Sequence, residues 1–95
     1  MAFLAVQNRL SVPKNLMDCR KKIGYMYYSF ENEELYITFD EDKNNYLLSK
    51  IKFDAGNRFG FPHEVLEMLK IDNDTELLLF KKDNRIIIKK GPIRF

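Results

Sequence analysis

Residues 56–62 read "GNRFGFP", and residues 7–13, 49 positions earlier, read "QNRLSVP". Asn8 matches Asn57, Arg9 matches Arg58 and Pro13 matches Pro62 at one constant offset. A repeat of this kind decides the fold before any local reading does, because a unit too small to bury its own apolar face must bury it against its neighbour. Outward from the second copy, "YLLSKIKF" (46–53) predicts a strand, "DAGN" (54–57) a turn and "FGF" (59–61) a second short strand. Pro62 suits the first position of a helix, since its missing N–H has no partner there anyway. That helix is expected through about Leu69, with Val65 and Leu69 four apart on one face. "TELLLF" (75–80), "KKDN" (81–84) and "RIIIKK" (85–90) predict a closing hairpin that turns at Asp-Asn.

The first copy runs in the same order. "AFLAV" (2–6) is a strand candidate, "QNR" (7–9) a turn, and "LSV" (10–12) alternates as a half-buried strand does. Pro13 opens a helix expected through about Lys22, with Gly24 placed to stop it. "YMYYSF" (25–30) and "ELYITF" (34–39) flank the polar "ENE" and predict a hairpin. "DEDKNN" (40–45) reads as a short exposed connection. The expectation is one mainly β (α+β) domain over residues 1–95. Repeat 1 covers about 1–40 and repeat 2 about 46–90, each β-β-α-β-β. Two such units related by a pseudo-twofold axis would close into a barrel with two short helices, removing exposed strand edges.

Ninety-five residues with 45% hydrophobic content, eight Phe and five Tyr supply one core, and the chain is too apolar for a disordered tail. The formal charge of +2 makes no general case for a polyanionic partner. Its distribution is uneven: residues 1–45 carry six Lys/Arg against seven Asp/Glu (−1), and residues 46–95 carry ten against seven (+3). Cys19 is the single cysteine, so no intrachain disulfide forms. "MAFLAV" has no basic start and is interrupted by Arg9, unlike a signal peptide. No apolar run approaches the roughly 18 residues of a membrane span. These features lead to a cytoplasmic expectation with no membrane partner, in which the sequon Asn73-Asp74-Thr75 is a chance match.

Residues 51–90, "IKFDAGNRFGFPHEVLEMLKIDNDTELLLFKKDNRIIIKK", resemble the SpoVT/AbrB-like swapped-hairpin domain along its length. The matching features are the Gly56–Arg58 turn, Phe59–Pro62, the Leu69-Lys70-Ile71 step, the acidic Asp72–Asp74 turn and the Leu77–Lys90 hairpin. Residues 1–39 look like a diverged second copy. Two copies in one chain are similar to the MraZ type, whose Asp-x-x-x-Arg motif is matched by Asp54–Arg58; the first copy has Ala5 in place of that Asp. The resemblance implies a swapped-hairpin barrel and a bacterial or phage-type transcription regulator that binds double-stranded DNA, with homo-oligomers built from such units. The family's DNA-binding helices commonly carry Arg or Lys three to five positions after Pro. Here Leu16, Met17 and Asp18, and Val65, Leu66 and Glu67, hold those places.

The candidate DNA contacts are therefore Arg9, Arg58, Lys50 and Lys52, with Arg20, Lys21 and Lys22 at the margin. Arg9 and Arg58 read either as bidentate donors to phosphate or guanine, or as partners of a nearby acid such as Asp54. Lys50 and Lys52 read as a basic stripe or as the wet face of a sheet. Arg20–Lys22 also suit a helix end. The alternative function is a protein-interaction module, antitoxin-like or an anti-regulator, using helix surfaces where Met17 and Leu66 replace cations, or an exposed row among Tyr25, Tyr27, Tyr28 and Phe30. Catalysis, cofactor binding and metal binding find no motif. His63 is the single histidine and no Cys/His spacing suits zinc. A Cys19–His63 pair would need the two helices to abut. Gly60 reads as a point of close backbone approach between the units.

Overall fold

The ribbon formed by the two repeated stretches is the simplest part of the structure. The chain is described by a computed structural model over residues 8–17 and 21–91; the expected strand at 2–6, Ala5, Asp18, Cys19 and Arg20 lie outside the described residues. Strand β1 (Arg9–Ser11) pairs antiparallel with β5 (Arg58–Gly60) to make a two-stranded sheet. Asn8 (φ 56°) and Asn57 (φ 58°) precede these strands in the left-handed region, which Asn tolerates better than most residues. Leu10 pairs with Phe59, its own counterpart at the 49-residue offset, while Arg9 faces Gly60 and Ser11 faces Arg58. The flanking backbone bonds are counterparts of each other at the same offset: Val12 N–H donates to Asn57 O at 3.0 Å and Phe61 N–H to Asn8 O at 2.9 Å. A local twofold axis thus passes between Leu10 and Phe59.

The other strands form one five-stranded antiparallel sheet. They are β2 (Ile23–Ser29), β3 (Glu34–Thr38), β4 (Tyr46–Lys52), β6 (Leu77–Lys82) and β7 (Arg85–Lys90), in the order β4-β2-β3-β7-β6. The β6–β7 turn is the two residues Asp83 and Asn84, both at positive φ (50° and 64°), the backbone that a two-residue hairpin demands. Tyr36 pairs with Ile87 at the β3–β7 seam, where the two hairpins meet. Met26, Leu35, Ile37, Ile51, Ile86 and Ile88 point from this sheet into the main core, where Leu10, Phe59, Phe61, Val65 and Leu66 join them.

This architecture corrects the expectation of a closed barrel with two short helices. Among the described residues the strands divide into two sheets, and the larger one ends at β4 and β6 without closing. Its outer face is also not a wet barrel wall. Tyr27, Tyr36 and Ile87 form a second buried cluster there, against which Tyr25 packs. The 40–45 connection contributes to this cluster instead of standing free. Tyr36 Oη donates to Asp42 Oδ2 at 2.6 Å, Arg85 Nη2 donates to the same oxygen at 3.1 Å, and Asp42 N–H donates to Tyr27 Oη at 2.7 Å. Burial, followed by the Asp42 bond, pushes the Tyr36 phenol up to about 12.

The described residues hold one α-helix, α1 (His63–Leu69), closed by Lys70 at φ 56°. After Pro13 there is a single 3₁₀ turn, Lys14–Leu16, and Met17 is already extended. Helix initiation is costly and is repaid mainly by burying an apolar face. The second copy offers Val65 and Leu66 buried with Leu69 packed beside them, whereas the first turn buries Leu16 alone. Gly24 stops no helix. It lies inside β2, where an added Cβ would meet Ile37 Cγ2 and Phe53 Cε2 at 3.1 Å. Gly60, by contrast, has open space where a Cβ would stand, so it marks no close approach.

Candidate nucleic-acid interface

Alternation along the ribbon settles which side chains face outward. Leu10 and Phe59 are buried, so Arg9, Ser11, Arg58 and Gly60 occupy the exposed face. Two arginines therefore share one surface on a diagonal of the pleat, each opposite a residue with little or no side chain. Both stay about half exposed, at 45% and 51% of their side-chain area.

One carboxylate organises them. Asp54 Oδ1 accepts from Gly56 N–H at 2.8 Å and Arg58 N–H at 3.0 Å, which closes the turn before β5. Its Oδ2 accepts from Arg58 Nε at 3.1 Å, and Arg9 Nη1 approaches the same oxygen to 3.8 Å. The Arg58 backbone donor foremost, with Gly56 N–H and the Arg58 guanidinium, holds the Asp54 carboxyl below the ordinary carboxylate range. Arg58 is thus oriented through Nε, and its terminal amino groups make no bond to another described residue. The pairing with Asp54 raised from the sequence and the exposed outward position coexist in the same side chains.

The other expected contacts distribute differently. Lys22 Nζ is 3.5 Å from Asn57 Oδ1, beside the ribbon's turn. Lys21 Nζ lies 2.8 Å from Asp40 on an exposed surface. Arg20 is outside the described residues. Lys50 and Lys52 are exposed and pair across from Tyr25 and Ile23 on the outer face of the five-stranded sheet. The ribbon's inner residues join the core on that sheet's other face, so the lysines and the turn arginines do not form one stripe. Lys14, exposed just beyond β1, is the cation that the sequence reading passed over. Its signal was its place directly after Pro13, where the second copy has His63.

The helix positions lacking cations have a physical account. Val65 and Leu66 are core residues, at 3% and 6% exposure, so a charge there would have to be buried. Leu66 gives no exposed anchor for a partner, and Met17 is half-buried against the core. The exposed apolar side chains lie elsewhere: Phe30 (70%) and Tyr46 (63%) are neighbours at the β2–β3 and β4 end, with ring centroids 6.4 Å apart, while Leu47 pairs with Tyr27 on the other face of the sheet. His63 is exposed and lies 3.0 Å from Glu67. Among the described residues no group of three or more His, Cys, Asp or Glu is arranged to hold a metal, and no helix is long and apolar enough to cross a membrane. No family model, characterised protein or solved structure matches the chain.

Proposed function

We propose that this protein is a small, non-catalytic, cytoplasmic DNA-binding regulator of bacterial or phage type, related to the SpoVT/AbrB and MraZ group, and that the β1–β5 ribbon carries its duplex contact. One observation carries the reading: Arg9 and Arg58 stand on the exposed face of a two-stranded ribbon beside Ser11 and Gly60. A two-stranded ribbon fits the B-DNA major groove, and Arg is the side chain best suited to a guanine edge or a phosphate. The small residues opposite each arginine let the backbone approach the groove closely. Lys22 and Lys14 would add phosphate contacts at the ribbon's margins, while Lys50 and Lys52 would take no part.

With about four phosphates neutralised, log affinity falls against log salt with a slope of roughly −3 to −4, and non-specific binding is about 10⁻⁴ to 10⁻⁶ M at physiological salt. Fluorescence anisotropy on duplex DNA across a salt series tests this. Salt-sensitive binding with that slope supports the reading, and no binding at about 50 mM salt removes it. A second reading, a protein-interaction module, is favoured by the exposed, neighbouring Phe30 and Tyr46 and not by the helix. It becomes the leading one if DNA binding is absent.

A further inference from the structure

The ribbon is twofold-symmetric in its backbone and unsymmetric in its chemistry. Arg9 and Arg58 are equivalents at the 49-residue offset, as the paired bonds Val12–Asn57 and Phe61–Asn8 make plain. Both nevertheless turn toward the same carboxylate, Asp54, because the position 49 residues before Asp54 in the sequence is Ala5, which has none. The two contacts also differ in kind. Arg58 is bound through Nε at 3.1 Å, the geometry that fixes the plane of the guanidinium and leaves both terminal amino groups as a fork. Arg9 is approached through Nη1 at 3.8 Å, which engages part of the fork without fixing its plane.

We propose that Asp54 is a positioning residue that makes the two halves of the ribbon read DNA unequally, presenting Arg58 as a guanine reader and leaving Arg9 as a phosphate contact. The inference rests on the ribbon's binding duplex DNA. A fork held in one plane matches guanine O6 and N7 together, and discrimination comes from meeting both acceptors at once. A guanidinium free to rotate is attracted to any phosphate and carries no sequence information. The recognised sequence is therefore unsymmetric about the pseudo-twofold axis, with one required guanine on the Arg58 side, although the backbone that reads it is symmetric.

Asp54→Asn separates the carboxylate's two duties. Its amide oxygen still accepts from Gly56 and Arg58 N–H, so the turn survives, while the amide nitrogen facing Arg58 Nε can no longer accept. The wild-type chain is first used to select binders from a randomised duplex library. The selected duplex and copies with single guanines replaced are then titrated by anisotropy, with circular dichroism checking the fold of each variant. The expected wild-type result is an unsymmetric preference of about tenfold or more for one guanine. In Asp54→Asn that preference collapses toward none, while affinity for non-specific duplex rises because one negative charge has left the interface. In an Arg58→Ala background, Asp54→Asn changes the preference no further. A residue that merely holds the fold would lower both affinities together. Binding with equal dependence on both halves, or an Asp54→Asn protein that keeps its preference, overturns the inference and leaves DNA binding standing. Absence of binding to any duplex overturns both.

Discussion

Replacing Asp42 by Ala tests whether the 40–45 connection is a structural latch. Its Oδ2 accepts from Tyr36 Oη at 2.6 Å, Arg85 Nη2 at 3.1 Å and Asn45 Nδ2 at 3.2 Å, with its side chain 12% exposed. A buried hydrogen bond to a charged group contributes about 1.5–3 kcal/mol, and the half-exposed Arg85 pair adds at most about 1 kcal/mol. Tyr36 is fully buried, and without Asp42 its hydroxyl proton loses its acceptor. The expected loss is therefore about 2–4 kcal/mol, which at this chain length lowers Tm by roughly 10–25 °C and still leaves a folded protein. Urea unfolding followed by circular dichroism measures it. A double-mutant cycle with Tyr36→Phe isolates the pair and should return a coupling of about 1–2 kcal/mol. A loss within about 0.5 kcal/mol for Asp42→Ala, or a coupling indistinguishable from zero, would refute the latch.

Three further outcomes follow from the geometry. The folded-state pKa of Tyr36, about 12, lies above its ordinary value, so its contribution is complete below pH ~10 and is lost as pH rises through 12; absorbance titration should find one tyrosine ionising late, and Tyr36→Phe should abolish that step. Gly24→Ala should cost about 1–3 kcal/mol, because its Cβ would be wedged against Ile37 and Phe53, whereas Gly60→Ala, facing open space, should be close to neutral in thermal unfolding. Phe30→Ser with Tyr46→Ser should change stability by no more than about 0.5 kcal/mol per site, because both rings are mostly exposed; static light scattering should show reduced self-association if they form an adhesive patch.

The elements that were legible from sequence are those fixed by local chemistry. Asn8 and Asn57 occupy the left-handed backbone that their side chains tolerate, and Asp83-Asn84 makes the tight hairpin its composition suggested. What failed required tertiary knowledge. Pro13 as an opener and Gly24 as a stop predict a first helix, but one buried anchor, Leu16, does not sustain what Val65 and Leu66 sustain. Closure was inferred from the need to protect strand edges, a rule that cannot foresee Tyr27, Tyr36 and Ile87 burying the sheet's other face beneath Asp42. At the candidate site, Arg9 and Arg58 stand out by their repetition, and Asp54 through the Asp-x-x-x-Arg motif that the family resemblance supplies. That both guanidiniums turn to one carboxylate depends on the β1–β5 register, which a sequence does not print. The outward alternation of Lys50 and Lys52 along their strand reads as a basic stripe beside Arg58 or as the wet face of a sheet; strand pairing puts them on the five-stranded sheet and not on the ribbon.

The central claim is that duplex DNA is held by the arginines of the ribbon. Its most direct test is the affinity of wild type, Arg9→Ala, Arg58→Ala and Lys50→Ala/Lys52→Ala for one duplex at one low salt concentration, each variant first verified as folded by circular dichroism. The account predicts a loss of about 1–3 kcal/mol for Arg58→Ala, a smaller loss for Arg9→Ala and near-wild-type binding for the lysine pair. Equal binding by both arginine variants and wild type, or a loss confined to Lys50→Ala/Lys52→Ala, would contradict it.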